Sequence, residues 1–247
     1  MQTLRQLTWI TFKLYIREPI AAFFTLAFPT MLVLLFGAIW GNDPSPLFGG
    51  RGSMDVSLPA YSGLIVGTIG LMQVPITTAG YREQGILRRF RVTPLRPWVY
   101  IVADQCTNLV MTMLGMILVS TVAGVIFRVQ FDGEIWAIVI ALTLGTLAMS
   151  AFGYLIASLA STARIAQVIG MVIFYPMMFL SGAGMPSELL PDTLQRLADY
   201  LPLTYVVRLL RGLWFGETLG AHWVEVAVLS GIILVGGVLA ARFFRWE

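Results

Sequence analysis

The side chains able to do chemistry are gathered in one short stretch. Residues 81–98, YREQGILRRFRVTPLRPW, hold Glu83 and five arginines (Arg82, Arg88, Arg89, Arg91 and Arg96) of the 16 basic residues in the chain. Arginine forks recognise carboxylates and phosphates, so the stretch suits docking to a partner or an anionic surface rather than bond making. The sole lysine, Lys13, follows Phe12 in a segment without glycine. No G-x-x-x-x-G-K-[ST] loop is therefore present to cradle nucleotide phosphates, and ATP-driven work needs a second chain. His222, the one histidine, stands beside Trp223 without an H-E-x-x-H context and reads as a boundary residue. Cys106 is the only cysteine, which excludes an intrachain disulfide and a multi-cysteine metal site. No serine–histidine or paired-carboxylate arrangement falls within the apolar runs, so catalysis by this chain is not expected.

The elements that must position these groups are membrane spans. Of 247 residues, 57% are hydrophobic and 12% charged, where a soluble domain has about 25% charged. Uncharged runs cover 19–42, 56–81, 105–127, 135–163, 165–187 and 226–241. All but the last exceed the roughly 20 residues that cross the hydrocarbon as a helix, and snorkelling ends extend the last. The runs are continuous rather than alternating, which selects helices over a barrel. The expectation is an all-α polytopic membrane protein with six spans, forming one domain over 1–247. The runs contain no acid, base or histidine, which argues against coupling to an ion gradient. Asp104 is placed near the boundary of the third span.

With six spans both termini share a side. That side collects eleven basic residues, against five (Arg51, Arg128, Arg196, Arg208 and Arg211) opposite. The bias predicts cytoplasmic termini and a cytoplasmic 81–98 loop. The arginines lie scattered between apolar blocks, so nucleic acid is not an expected partner, whereas membrane lipid is. The apolar run after Arg17 is too long for a signal-peptide core and lacks an A-x-A pattern, so it reads as a retained anchor. Residues 1–18 are expected as an interfacial helix, with Leu4, Leu7, Ile10 and Leu14 on its apolar face.

Within 81–98, Ile86, Leu87 and Phe90 fall on one side of a short helix, with Arg88, Arg89 and Arg91 around it. Pro94 stops that helix, because the residue before a proline is pushed out of the helical region. Two readings are open: a positive clamp that sets topology, and a stiff docking helix for a cytoplasmic partner.

The pattern REQGILRRFRVTPLRPWVYIVADQ (82–105) resembles the segment between the second and third spans of ABC-2 type exporter permeases. FLSGAGMPSELLPDTLQRLADYLPLTYVVRLLRGLWFG (179–216) resembles the fifth span, outer loop and return of the same family. The resemblance covers essentially the whole chain. It implies the membrane half of an ATP-driven exporter, with ATP and magnesium held by a separate nucleotide-binding subunit and no cofactor bound here. A second permease chain, identical or not, would complete the path. The resemblance assigns coupling to Glu83, Gly85, Ile86, Leu87, Arg88, Arg89, Phe90, Arg91, Thr93 and Pro94. The usual residue leading into the third span is replaced by Asp104-Gln105.

Residues 186–223 form the expected outer loop, cut by Pro186, Pro191 and Pro202 into short helices. In the family such half-helices dip back and plug the exit, which makes Pro186, Leu189, Leu190, Pro202, Thr204 and Tyr205 the expected outer gate; an amphipathic outer cap is the alternative. Phe174, Tyr175 and Phe179, with nearby methionines, are candidates for an apolar path suited to amphipathic drug-like or lipid-like cargo. Polysaccharide or glycolipid export, and a non-transporting anchor for a cytoplasmic partner, are the competing functions. A plasma (bacterial inner) membrane location follows from the family.

Overall fold

A computed structural model describes residues 2–46, 49–87, 97–184 and 190–243. Among the described residues it is helical throughout, with no β-strand beyond one isolated bridge between Ser45 and Arg51. Helix α1 (Gln2–Arg17) leads into α2 (Pro19–Trp40), α3 (Ser53–Glu83), α4 (Pro97–Phe127), α5 (Ile135–Leu159) and α6 (Ala163–Leu180). Two shorter helices, α7 (Asp192–Ala198) and α8 (Pro202–Trp214), precede α9 (Trp223–Phe243). Helices α2 to α6 and α9 are each long and apolar enough to cross a membrane. The expected six spans are present. Helix α4 starts at Pro97, so Asp104 lies about two turns into a spanning helix.

Two spans contain a wide π-helical turn, Phe23–Ala27 in α2 and Thr68–Gln73 in α3. Each lies just before a proline, Pro29 and Pro75, which lacks the N–H that would bond the carbonyl four residues back. Those carbonyls belong to Thr25 and Leu71, and each abuts a glycine of a neighbouring helix. A Cβ added at Gly115 of α4 would lie 3.3 Å from Thr25 O, and one added at Gly170 of α6 would lie 2.5 Å from Leu71 O. The glycines let helix backbones close on the exposed carbonyls.

Helix α3 is the axis of the bundle, packed against α2, α4, α5, α6 and α8. Every residue from 52 to 71 is buried. Helix α9 is peripheral and rests mainly on α5. Helix α1 packs along α4, but not through its leucine face. Thr11 and Tyr15 are buried, while Ile10 and Leu14 are exposed. Beside lipid, aliphatic side chains need no protein cover, whereas hydroxyls seek partners, so an apolar face that meets the membrane is left uncovered by protein.

Helix α8 is too short to cross a bilayer and runs antiparallel along the first half of α3. A Cβ at Gly67 would meet Leu203, and one at Gly63 would meet Val207 at 2.6 Å. Trp214, at the other end of α8, donates through Nε1 to Gln130 O at 3.0 Å, beyond the end of α4. Gly67 lies 14 residues into α3, about 21 Å along its axis at 1.5 Å per residue. The start of α8 therefore lies beside the middle of α3, whose span runs from Ser53 to Glu83.

Candidate functional site

The bundle has two organised ends, named here for the acids that build them. At the Glu83 end, α3 closes on Gly85, whose φ of +70° is the left-handed conformation that ends helices and that glycine adopts without a Cβ penalty. Gln84 N donates to Gly80 O, and Gly85 N to Arg82 O, both at 2.9 Å. This turn lets two opposite charges grip the α5–α6 connection. The Arg82 guanidinium donates to Ala160 O, just past α5, and Glu83 Oε2 accepts from Ala163 N at 2.9 Å, at the first residue of α6. Each charge complements the dipole of the helix end it meets. Thr162 caps the same end of α6, its hydroxyl accepting from Ile165 N at 3.2 Å.

Of the residues assigned to coupling, Glu83, Gly85, Ile86 and Leu87 are described, whereas Arg88, Arg89, Phe90, Arg91, Thr93 and Pro94 lie outside the described residues. Leu87 is fully buried. It is therefore not part of an exposed apolar knob. Ile86 is half-buried.

Above this clasp sits a polar cluster that joins five helices. The Tyr154 hydroxyl donates to Asp104 Oδ2 at 2.6 Å, and Asn108 Nδ2 donates to the same oxygen at 3.1 Å. Asp104 is buried and ties α4 to α5. Tyr15 shares a 2.7 Å hydrogen bond with Thr25, and burial holds its phenol above the usual range and hence neutral. Gln73 Nε2 donates to Glu18 at 3.2 Å and to Thr77 at 3.0 Å. Tyr15, Glu18, Gln73 and Asp104 help line a cavity of about 20 Å³, room for one water molecule.

At the opposite end, Asp55 and Asn42 knot α2, α3 and α4 together. Asn42 Oδ1 accepts from the N–H groups of Met54 and Asp55 at 3.0 and 3.1 Å, capping α3. Its amide donates to Asp55 Oδ1 at 3.1 Å and to Phe127 O at 3.2 Å. Asp55 Oδ1 also accepts from Gln130 N at 3.0 Å. Gly52 is required beneath this knot, since a Cβ there would lie 2.0 Å from Asn42 Oδ1.

The residues assigned to the outer gate fall around the α7–α8 turn. Pro202 begins α8, where its missing N–H costs no helical bond. The Thr204 hydroxyl donates to Ala198 O at 2.6 Å, and the Tyr205 hydroxyl to Asp199 O at 2.7 Å. Leu190 accepts through its carbonyl from Gln195 at 2.9 Å. Pro186 and Leu189 lie outside the described residues. Arg208 pairs with Asp199 across the turn, both side chains about half exposed. Of the path candidates, Phe174 and Tyr175 have ring centroids 5.7 Å apart. Phe174 is buried against Gly67, whereas Tyr175 and Phe179 are exposed on α6. His222 joins Glu217 at 2.8 Å and Glu225 at 3.5 Å, where the chain passes from α8 to α9.

Sequence reasoning missed the Asp55–Asn42 knot and the Asp104–Tyr154 bond; for Arg208 it offered lipid phosphates or acids of the outer loop as partners, and the structure pairs it with Asp199 of that loop. Only the first had a local signal, a glycine followed three residues later by an acid at a helix start.

A bundle of six apolar spans around one buried helix, with a short helix packed along that helix, defines a multi-pass membrane protein. Residues 2–215 match the family model described as ABC-2 type transporter. The chain belongs to that family, the membrane components of ABC transporters. It is similar to the "Probable multidrug ABC transporter permease YbhR" of Escherichia coli, 27% identical over 183 residues that cover 73% of this chain and 50% of the relative. It is also similar to the "Inner membrane transport permease YhhJ" of Escherichia coli, at 24% over 183 residues, covering 70% and 49%. "Nodulation protein J" of Rhizobium leguminosarum bv. viciae is 28% identical over 99 residues, covering 40% and 38%. The chain spans about half the length, or less, of these curated relatives.

Proposed function

We propose that this chain is the transmembrane subunit of an ATP-driven exporter, energised by a separate nucleotide-binding subunit that docks on the 81–98 segment and holds ATP and magnesium. The observation that carries this reading is the Glu83 clasp. The base of the segment is held to the ends of α5 and α6 through Arg82 and Glu83, and it continues directly into α3, along which α8 packs. A push on the segment thus has a rigid route to the helix that returns into the bundle. Two permease chains would form the path, in a bacterial inner membrane with both termini cytoplasmic. The inner-membrane relative supports the location, and the eleven-to-five division of basic residues supports the orientation.

The α7–α8 turn is the proposed outer gate, with Leu190, Pro202, Thr204 and Tyr205 around it. A half-exposed ion pair, Asp199–Arg208, at this depth is costly against lipid. That cost supports a face bordering water or a second permease chain rather than acyl chains. The cargo is proposed to be an amphipathic drug-like or lipid-like molecule, in keeping with the relative described as a multidrug permease.

The test is to extract the tagged chain gently from its own cells, identify the ATPase that stays bound, and reconstitute both in vesicles. Glu83→Ala is expected to leave insertion intact and lower amphiphile efflux at least tenfold. Absence of a P-loop ATPase, or full efflux with the variant, overturns the reading. ATP turnover indifferent to every amphiphile, with the partner bound, would instead identify a membrane anchor.

A further inference from the structure

At the Asp55 end, the stretch 128–132 separates two cavities of opposite character. Val129 and Phe131 line an apolar groove of about 450 Å³ between α4 and α5, together with Met113, Met116, Ile138 and Leu142. Arg128, Gln130 and Asp132 line a polar pocket of about 630 Å³ shared with Asn42, Asp43 and Arg51. The alternation is that of extended chain, in which successive side chains point to opposite sides.

The groove extends from Ile135, the first residue of α5, to Leu142. That is about 10 Å of helix, so the groove lies in the half of the hydrocarbon next to this end. Ser120 also lines it, and its hydroxyl is buried without a hydrogen-bond partner among the described residues.

Arg128 is the anomaly at the rim. It follows the last residue of α4 with φ of +52°, the one non-glycine residue with positive φ among the described residues. This is the position after a helix that glycine usually fills. Flanking bonds hold the backbone there: Phe127 O accepts from Asn42, and Gln130 N donates to Asp55. Glycine would meet that backbone requirement without strain, so the arginine side chain has its own task. Arg51 is occupied, 3.2 Å from Asp132 and stacked 3.9 Å over the Phe215 ring. Arg128 is exposed and, among the described residues, has no carboxylate partner.

We propose that this rim and groove bind one zwitterionic phospholipid of the adjoining leaflet, its phosphate on Arg128 and one acyl chain between α4 and α5. The guanidinium fork matches a phosphate, and Asp43 in the same pocket matches a headgroup ammonium. The groove is of ligand size and lies at acyl-chain depth. The site is separate from the Glu83 clasp and does not depend on the export reading.

The full chain, delipidated in detergent, is titrated with dioleoyl phosphatidylethanolamine and followed by native mass spectrometry. Wild type is expected to retain one lipid. Arg128→Gly is expected to weaken retention at least tenfold while unfolding, without lipid, at the same temperature or higher. Ser120→Leu, which enters the groove from α4, is expected to weaken retention as well. Equal retention by Arg128→Gly and wild type overturns the proposal. So does a lower unfolding temperature of lipid-free Arg128→Gly, which makes the arginine structural. Displacement of the lipid by an exported amphiphile would reassign the groove to cargo and also overturn it.

Discussion

Helices α3 and α9 are both spans, yet they obey opposite rules. Helix α3 is the least apolar of the six and the most enclosed, with 78% of its most apolar stretch buried, while α9 has 17% buried despite being more apolar. In a water-soluble domain the order would be reversed. Lipid is as good a solvent for leucine as a protein core is, so apolarity does not draw a helix inward. Polar groups do, because hydrocarbon offers them no hydrogen bonds. Helix α3 carries buried Ser53, Asp55, Ser57, Ser62, Thr68 and Thr78, whereas α9 turns Leu234, Val235 and Val238 outward.

The largest test of this contrast uses one substitution at two glycines. A Cβ at Gly153 of α5 would lie 2.0 Å from Gly70 O of α3, while nothing lies within 4 Å of one at Gly237 of α9. Gly153→Leu is expected to cost about 3 kcal/mol. Gly237→Leu is expected to change stability by less than about 0.5 kcal/mol. Thermal unfolding in detergent compares them, and similar losses would break the distinction between the two helices.

A second test asks whether buried polarity holds the centre. Asp104→Leu leaves the Tyr154 hydroxyl without its acceptor, at an expected cost of about 1–3 kcal/mol. Asp104→Asn keeps an acceptor oxygen and should recover most of that loss. Denaturant titration separates the pair, and equal instability would mean that charge rather than the hydrogen bond matters. A smaller effect is expected at the Glu83 end. Thr162→Ala removes the α6 cap and should cost about 1 kcal/mol. Hydrogen exchange at the start of α6 should rise with it, and unchanged protection would argue that Glu83 alone satisfies that helix end. The smallest effect is expected on α9, where Leu234→Ala removes only lipid contacts and should leave the unfolding temperature within error of wild type.

The six spans were legible because a run of about 20 uncharged residues has no alternative in a membrane. Their exact starts were less so. The uncharged run begins only after Asp104, since an acid is expensive in lipid, yet the helix reaches back to Pro97, and Tyr154 and Asn108 from within the bundle offset that expense. On α1 the repeat of Leu4, Leu7, Ile10 and Leu14 was legible, whereas the burial of Thr11 and Tyr15 against protein was not, because it depends on which helices lie beside α1. Glu83 was singled out, but its contact with Ala163 was not, because the two are 80 residues apart in the chain. The break at Pro202 was legible, and which acid of the outer loop pairs with Arg208 across it was not, since that contact exists only once α7 and α8 fold against each other.

By itself, then, the sequence determined the solvent, the number of spans, the breaks at the prolines and the segment where the basic charge gathers. All of these follow from local composition and from the cost of placing charges in hydrocarbon. Tertiary structure alone decided which span became the axis, where α8 sits along α3, and what Asp104, Asp55 and Arg128 face. Those outcomes depend on hydrogen bonds and close backbone approaches between distant helices, for which a linear pattern of apolar residues carries no record.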